Sequence, residues 1–79
     1  MSIANFHART AFEREAGSGV RFVEVRDTDR GTEFVFRLTS RGTVHAIATS
    51  PTGKGRQAIE DAAAQAGRWA RIMADRAAA

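Results

Sequence analysis

Residues 32–49 read TEFVFRLTSRGTVHAIAT. In the first half Phe34, Phe36 and Leu38 alternate with Glu33, Arg37 and Thr39, the period of two that a strand with one apolar face requires. Ser40-Arg41-Gly42 breaks the alternation, and β-branched and small residues resume at Thr43. The stretch therefore predicts two antiparallel strands, Thr32–Thr39 and Thr43–Thr49, joined by a tight turn. A three-residue hairpin with Gly42 left-handed sets Leu38 opposite Val44, Phe36 opposite Ala46 and Phe34 opposite Ala48, large against small.

Upstream, Val20–Asp27 carries the same strand composition and ends in "TDRG". A two-residue connection at Asp29-Arg30 places Val25 against Phe34 and Val23 against Phe36, so two turns agree on one core face. Asn5–Ala16 predicts a first helix, with Asn5 as N-cap, Ala8, Ala11 and Phe12 on one stripe, and Gly17 at its end. The same residues also alternate as Phe6, Ala8, Thr10, Phe12, which would suit a strand; the helix propensity of "AFEREA" favours the helix.

Downstream, Ser50–Gly55 reads as a loop, and a long helix is predicted from Arg56 to Arg76. Ile59, Ala62, Ala63, Ala66, Trp69, Ala70 and Met73 recur at helical spacing, with Glu60, Arg68, Arg71 and Asp75 on the other side. The alanines should lie close to the sheet, with Trp69 and Met73 as core over its far end. The expected fold class is α+β: a helix, a three-stranded antiparallel meander and a long C-terminal helix packed on one sheet face.

The 79 residues leave room for one core, so a single domain spanning 1–79 is expected. There is no cysteine, which removes disulfides, thiolate metal sites and cysteine nucleophiles together. No apolar run reaches the ~18 residues of a membrane span, and the N-terminus lacks the order of a signal peptide, so a cytoplasmic location is expected. The formal net charge is +3 although the pI is near 11.0. Lys54 is the one lysine among twelve Lys and Arg residues, and no tyrosine or cysteine titrates at intermediate pH, so the pI overstates basicity.

Candidates for catalysis are few. His7 and His45 have no carboxylate at a spacing that fixes a helical or hairpin pair, and the register above sets His45 opposite Arg37. Glu60-Asp61 is adjacent, but consecutive helical positions diverge by ~100°, so it reads as a solvated face. The serines lie at termini or turns, without a nucleophile elbow. Neither a catalytic residue, a metal site nor a cofactor is expected. The loop "SPTGKGR" lacks the spacing of a phosphate-binding loop, yet Lys54 and Arg56 before a helix N-terminus are candidate anion or nucleic-acid contacts.

The strongest candidate surface is the sheet face turned away from the helices. On the register above, Phe22, Val35 and Ile47 point outward together with Arg26, Arg37 and His45, an apolar centre ringed by cations. These six are the candidate partner-binding residues. The occupant is a foreign macromolecule or, through the same face, a second copy of the chain.

Two resemblances add expectations. The order helix, three strands, helix resembles the double-stranded RNA-binding domain, and Ala58, Ala62, Ala63 and Ala66 fall where that family's second helix places its alanines. Gly55 and Arg56 stand at its lysine pair, Ile59 at its glutamate and Gly67 at its final leucine, and the first turn carries Asp27 and Asp29 in place of the groove probe. The meander TEFVFRLTSRGTVHAIAT followed by AIEDAAAQAGRWA also resembles the small anti-CRISPR proteins of phages and mobile elements. That resemblance implies a non-enzymatic inhibitor that binds a type I RNA-guided surveillance complex in the bacterial host cell and blocks target DNA binding. The alternative implied by the first is a nucleic-acid-binding module.

Overall fold

The fold is that of a computed structural model describing residues 3–29, 31–50, 53 and 55–78, without the side chains of residues 3–5. The chain runs α1 (Ile3–Ala16), β1 (Val20–Thr28), β2 (Gly31–Leu38), β3 (Val44–Thr49) and α2 (Arg56–Ala78). The three strands form an antiparallel sheet in the order β1-β2-β3. The expected α+β architecture is therefore present. No helix among the described residues is long and apolar enough to cross a membrane.

Asn5 lies inside α1, which begins at Ile3, so it is not the N-cap. At the other end the Gly17 N–H donates to the Glu13 carbonyl at 3.3 Å, and three residues later the chain enters β1 at Val20.

The core is built around Phe12. Its ring stacks on Phe34 with centroids 5.7 Å apart, tilts against Phe36 at 5.8 Å and meets the edge of Phe22 at 5.7 Å. Ala8, Ala11 and Ala16 of α1, Leu38 of β2, and Ala63, Ala66, Ala70 and Ala74 of α2 complete it. The small side chains let α1 and α2 lie against each other, and at Gly67 the approach is so tight that a Cβ would overlap the Phe12 carbonyl oxygen. The alanine stripe thus packs largely on α1, which carries the phenylalanine that fills the space above the sheet. No polar side chain is buried among the described residues.

Two features shift the expected strand register. The turn after β2 spans four residues: the Leu38 N–H donates to the Thr43 carbonyl at 2.9 Å and the Gly42 N–H to the Leu38 carbonyl at 2.7 Å, with Gly42 left-handed at φ 70°. Leu38 pairs with Thr43 and not with Val44, so Phe36 faces His45, Phe34 faces Ile47 and Val35 faces Ala46. The first hairpin closes with Thr28 opposite Gly31 and sets Val25 opposite Phe34 as expected, but a β-bulge between Phe22 and Glu24 then places Phe22, not Val23, opposite Phe36. Each one-residue slip transfers a strand's side chains to the other face. Phe22, His45 and Ile47 are therefore on the helix-covered face, and the expectation that they point outward is corrected.

Trp69 is also corrected. It is 54% exposed, because the buried stripe of α2 runs through Ala62, Ala63, Ala66, Gly67, Ala70 and Ala74 and leaves Trp69 on its flank.

Candidate functional site

Both helices pack on one side of the sheet, and among the described residues nothing packs over the other side. Three cross-strand rows make up the open face. Arg21, Arg37 and Val44 form the first, Glu24, Val35 and Ala46 the second, and Arg26, Glu33 and Ala48 the third. Of the six candidate residues, Arg26, Val35 and Arg37 belong to this face, while Phe22, His45 and Ile47 do not.

Val35 sits at the centre, only 7% exposed although no helix touches its face. Its neighbours in the rows are long charged side chains, whose aliphatic stems can cover it while their heads stay in water. One such head is tied down: Arg26 Nε donates to Glu33 Oε1 at 2.8 Å and Nη1 to Glu24 Oε1 at 3.3 Å. The hydrogen bond and charge of Glu33, with help from Glu24, raise the Arg26 pKa above its ordinary value. The two carboxylates are thus spoken for.

Arg21 and Arg37 are different. They stand directly opposite each other across β1 and β2, and among the described residues no carboxylate lies within ion-pair distance of either. Arg37 Nη1 donates to the Gly42 carbonyl at 3.3 Å, which draws its head toward the second turn and leaves its other donors available. Cross-strand neighbours have Cβ atoms ~4.5–5.5 Å apart, and like charges there are destabilising. Arg21 was absent from the sequence-derived set; with the bulge known, its place on this face follows from counting residues back from Phe22.

The remaining candidates lie elsewhere. His45 stacks on Phe36 at 5.9 Å, and its Nε2 is 2.8 Å from Thr43 Oγ1. It borders a shallow groove between the second turn and the end of α2, where Met73, Arg76 and Ala77 form the opposite wall. Phe22 lies under the Arg9 guanidinium, 5.2 Å from its ring centre. Arg56 is exposed and paired with Glu60 at 3.3 Å; Lys54 lies outside the described residues.

One constellation escaped the local spacing rules. Packing of α1 on α2 brings His7 Nδ1 to 3.8 Å from Glu60 Oε1, in a polar cleft of ≈ 240 Å³ that Asp61, Arg14 and Thr10 also line. Glu60 is half-buried there, not on a fully solvated face as expected. The His7–Glu60 separation exceeds hydrogen-bond reach, and Glu60 accepts instead from Arg56 Nε at 3.3 Å. Among the described residues no three His, Asp or Glu side chains are placed so that they could hold a metal ion together.

No protein-family model, curated protein or solved structure matches this chain, and its function is therefore a question of what this geometry can bind.

Proposed function

We propose that the chain is a non-enzymatic binding protein that lays the open face of its sheet on an acidic surface of a protein or ribonucleoprotein partner. The observation that carries this reading is the Arg21–Arg37 pair, two arginines directly opposite each other on the open face with no carboxylate within ion-pair distance among the described residues. An acidic group placed between them removes their repulsion and receives bidentate hydrogen bonds from a planar fork. Beside them Val44, Ala46 and Ala48 offer a strip of small apolar side chains. Cations around an apolar strip suit an interface whose centre is dry and whose rim is charged.

For the partner, the resemblance of the meander and alanine-rich helix to anti-CRISPR proteins supports a type I RNA-guided surveillance complex. Occupation of its surface would exclude target DNA, and such an inhibitor needs no cofactor and works in the bacterial cytoplasm. A second reading, a nucleic-acid module of the double-stranded RNA-binding type, draws support from the order α1-β1-β2-β3-α2 with both helices on one sheet face. Arg56 committed to Glu60, and Asp27 and Asp29 exposed at the first turn, speak against it.

The test is a titration of the chain against a purified type I surveillance complex and against random duplex RNA, at low and moderate salt. Binding of the complex that persists at moderate salt is the expected result. Tight duplex binding that collapses as salt rises would put the second reading in its place, because contacts to several phosphates release counterions.

A further inference from the structure

We infer that the free edge of β3 is a self-association site, at which two copies of this chain pair their β3 strands antiparallel about a two-fold axis at Ala46 to make one six-stranded sheet. The two edges of the sheet differ. β1 carries a bulge at Phe22/Glu24 and the charges Arg21, Glu24, Arg26 and Asp27, devices that keep an edge from pairing. β3, VHAIAT, has no bulge, no proline and no Lys, Arg, Asp or Glu.

The hydrogen-bond pattern fixes which groups are available. Leu38 and Thr43 form a hydrogen-bonded pair, and bonded and non-bonded pairs alternate along an antiparallel ladder. His45 and Ile47 therefore point their backbone groups at β2, and Val44, Ala46 and Ala48 point theirs at the free edge. Pairing Ala46 with its own copy places Val44 opposite Ala48 and Ala48 opposite Val44, so the residues with free groups meet one another. The contact is closed and self-complementary, as a two-fold dimer requires. Absence of charge matters most for a like partner, since a charge at Ala46 would face its own copy and a charge anywhere else on the strand would be repeated across the axis.

A second observation points to the same occupant. Trp69 and Ile72 are exposed large apolar side chains of α2. The α1 side of that helix is marked by Gly67 against Phe12 and by Arg71 beside Gly17, and Met73 shares a groove with His45 of β3. At ~100° per residue Trp69 and Ile72 fall on the flank away from α1, beyond the β3 edge. In the joined sheet both helical layers lie on one face, so the α2 helices become neighbours across the axis and these side chains fill the space between them. The open faces of the two copies remain uncovered on the other side. This inference is thus independent of the partner proposed above.

The test is sedimentation of the intact chain from about 1 µM to about 1 mM, the window of a small interface, with emission of Trp69, the one tryptophan, followed in parallel. The expected mass rises from one chain toward two with a blue shift of the emission over the same range. Ala46→Pro removes an N–H that the monomer leaves free, and Ala46→Lys sets like charges opposite each other only in the dimer. Both should stay monomeric with the parent's circular dichroism, Trp69→Ala should weaken the dimer at least tenfold, and Arg21→Glu should leave it unchanged. A parent chain monomeric throughout, growth beyond two chains, or dimers persisting in folded Ala46→Lys would overturn the inference.

Discussion

Gly67 of α2 and the carbonyl of Phe12 in α1 meet backbone to backbone where the helices cross: a Cβ on Gly67 would overlap that oxygen and stand 3.0 Å from the Glu15 Cβ. Glycine in a helix interior costs about 1 kcal/mol relative to alanine. Here the close approach outweighs that cost. Gly67→Ala should destabilise the chain by about 1–3 kcal/mol in urea unfolding, because the obstacle is backbone that cannot rotate away. A stabilised variant, as propensity alone would give, would mean that the helices are farther apart.

Phe12 touches three phenylalanine rings and has no exposed surface. Phe12→Ala should cost about 3–5 kcal/mol, a large part of the stability of a domain this small. Phe36→Ala, which removes one of the rings it packs on, should fall in the same range. A denaturation midpoint close to the parent's for Phe12→Ala would show that the ring is not the centre of the core.

The register of the second hairpin is open to a chemical test because the chain has no cysteine of its own. Val35 and Ala46 are directly opposite on the open face and form a non-hydrogen-bonded pair, with Cα atoms ~4.5 Å apart, inside the range a disulfide spans. Val35→Cys with Ala46→Cys should oxidise fully to an intramolecular disulfide by thiol titration. Val35→Cys with Ile47→Cys should not, since Ile47 is on the other face. The reverse outcome would restore the three-residue turn.

These registers mark the limit of what was legible in the chain. Strand positions and the core roles of Phe34, Phe36 and Leu38 followed from alternation and turn residues, the long helix from its apolar spacing, and the first helix only from propensity, since Asn5–Ala16 alternates like a strand as well. What decided the faces was finer: whether the turn takes Ser40-Arg41-Gly42 or also Thr39, and whether β1 bulges at Val23. Both depend on hydrogen bonds made only once the strands pair. Phe22, His45 and Ile47 were displaced from the open face for that reason, whereas Arg26, Val35 and Arg37 kept their places, being on the outward side in either register. Trp69 was misplaced because the helical stripe is wide, and only the packing of α1 determines which of its margins is covered.

Arg56 is exposed and already paired with Glu60. Arg56→Ala combined with Lys54→Ala should change partner affinity less than about threefold, since two contacts at a helix entry supply little at physiological salt. Loss of binding in this double variant, measured by the same titration as the parent, would favour the nucleic-acid reading.

The central claim, that Arg21 and Arg37 are kept together for a partner's acidic group, is tested most directly by measuring stability and binding on Arg21→Glu in parallel. The substitution turns a like-charge cross-strand pair into an ion pair, so the free chain should gain about 0.2–1 kcal/mol in urea unfolding. Its affinity for the purified surveillance complex should fall at least tenfold, a loss typical of an arginine anchor. A variant that is more stable and binds as the parent does would contradict the claim.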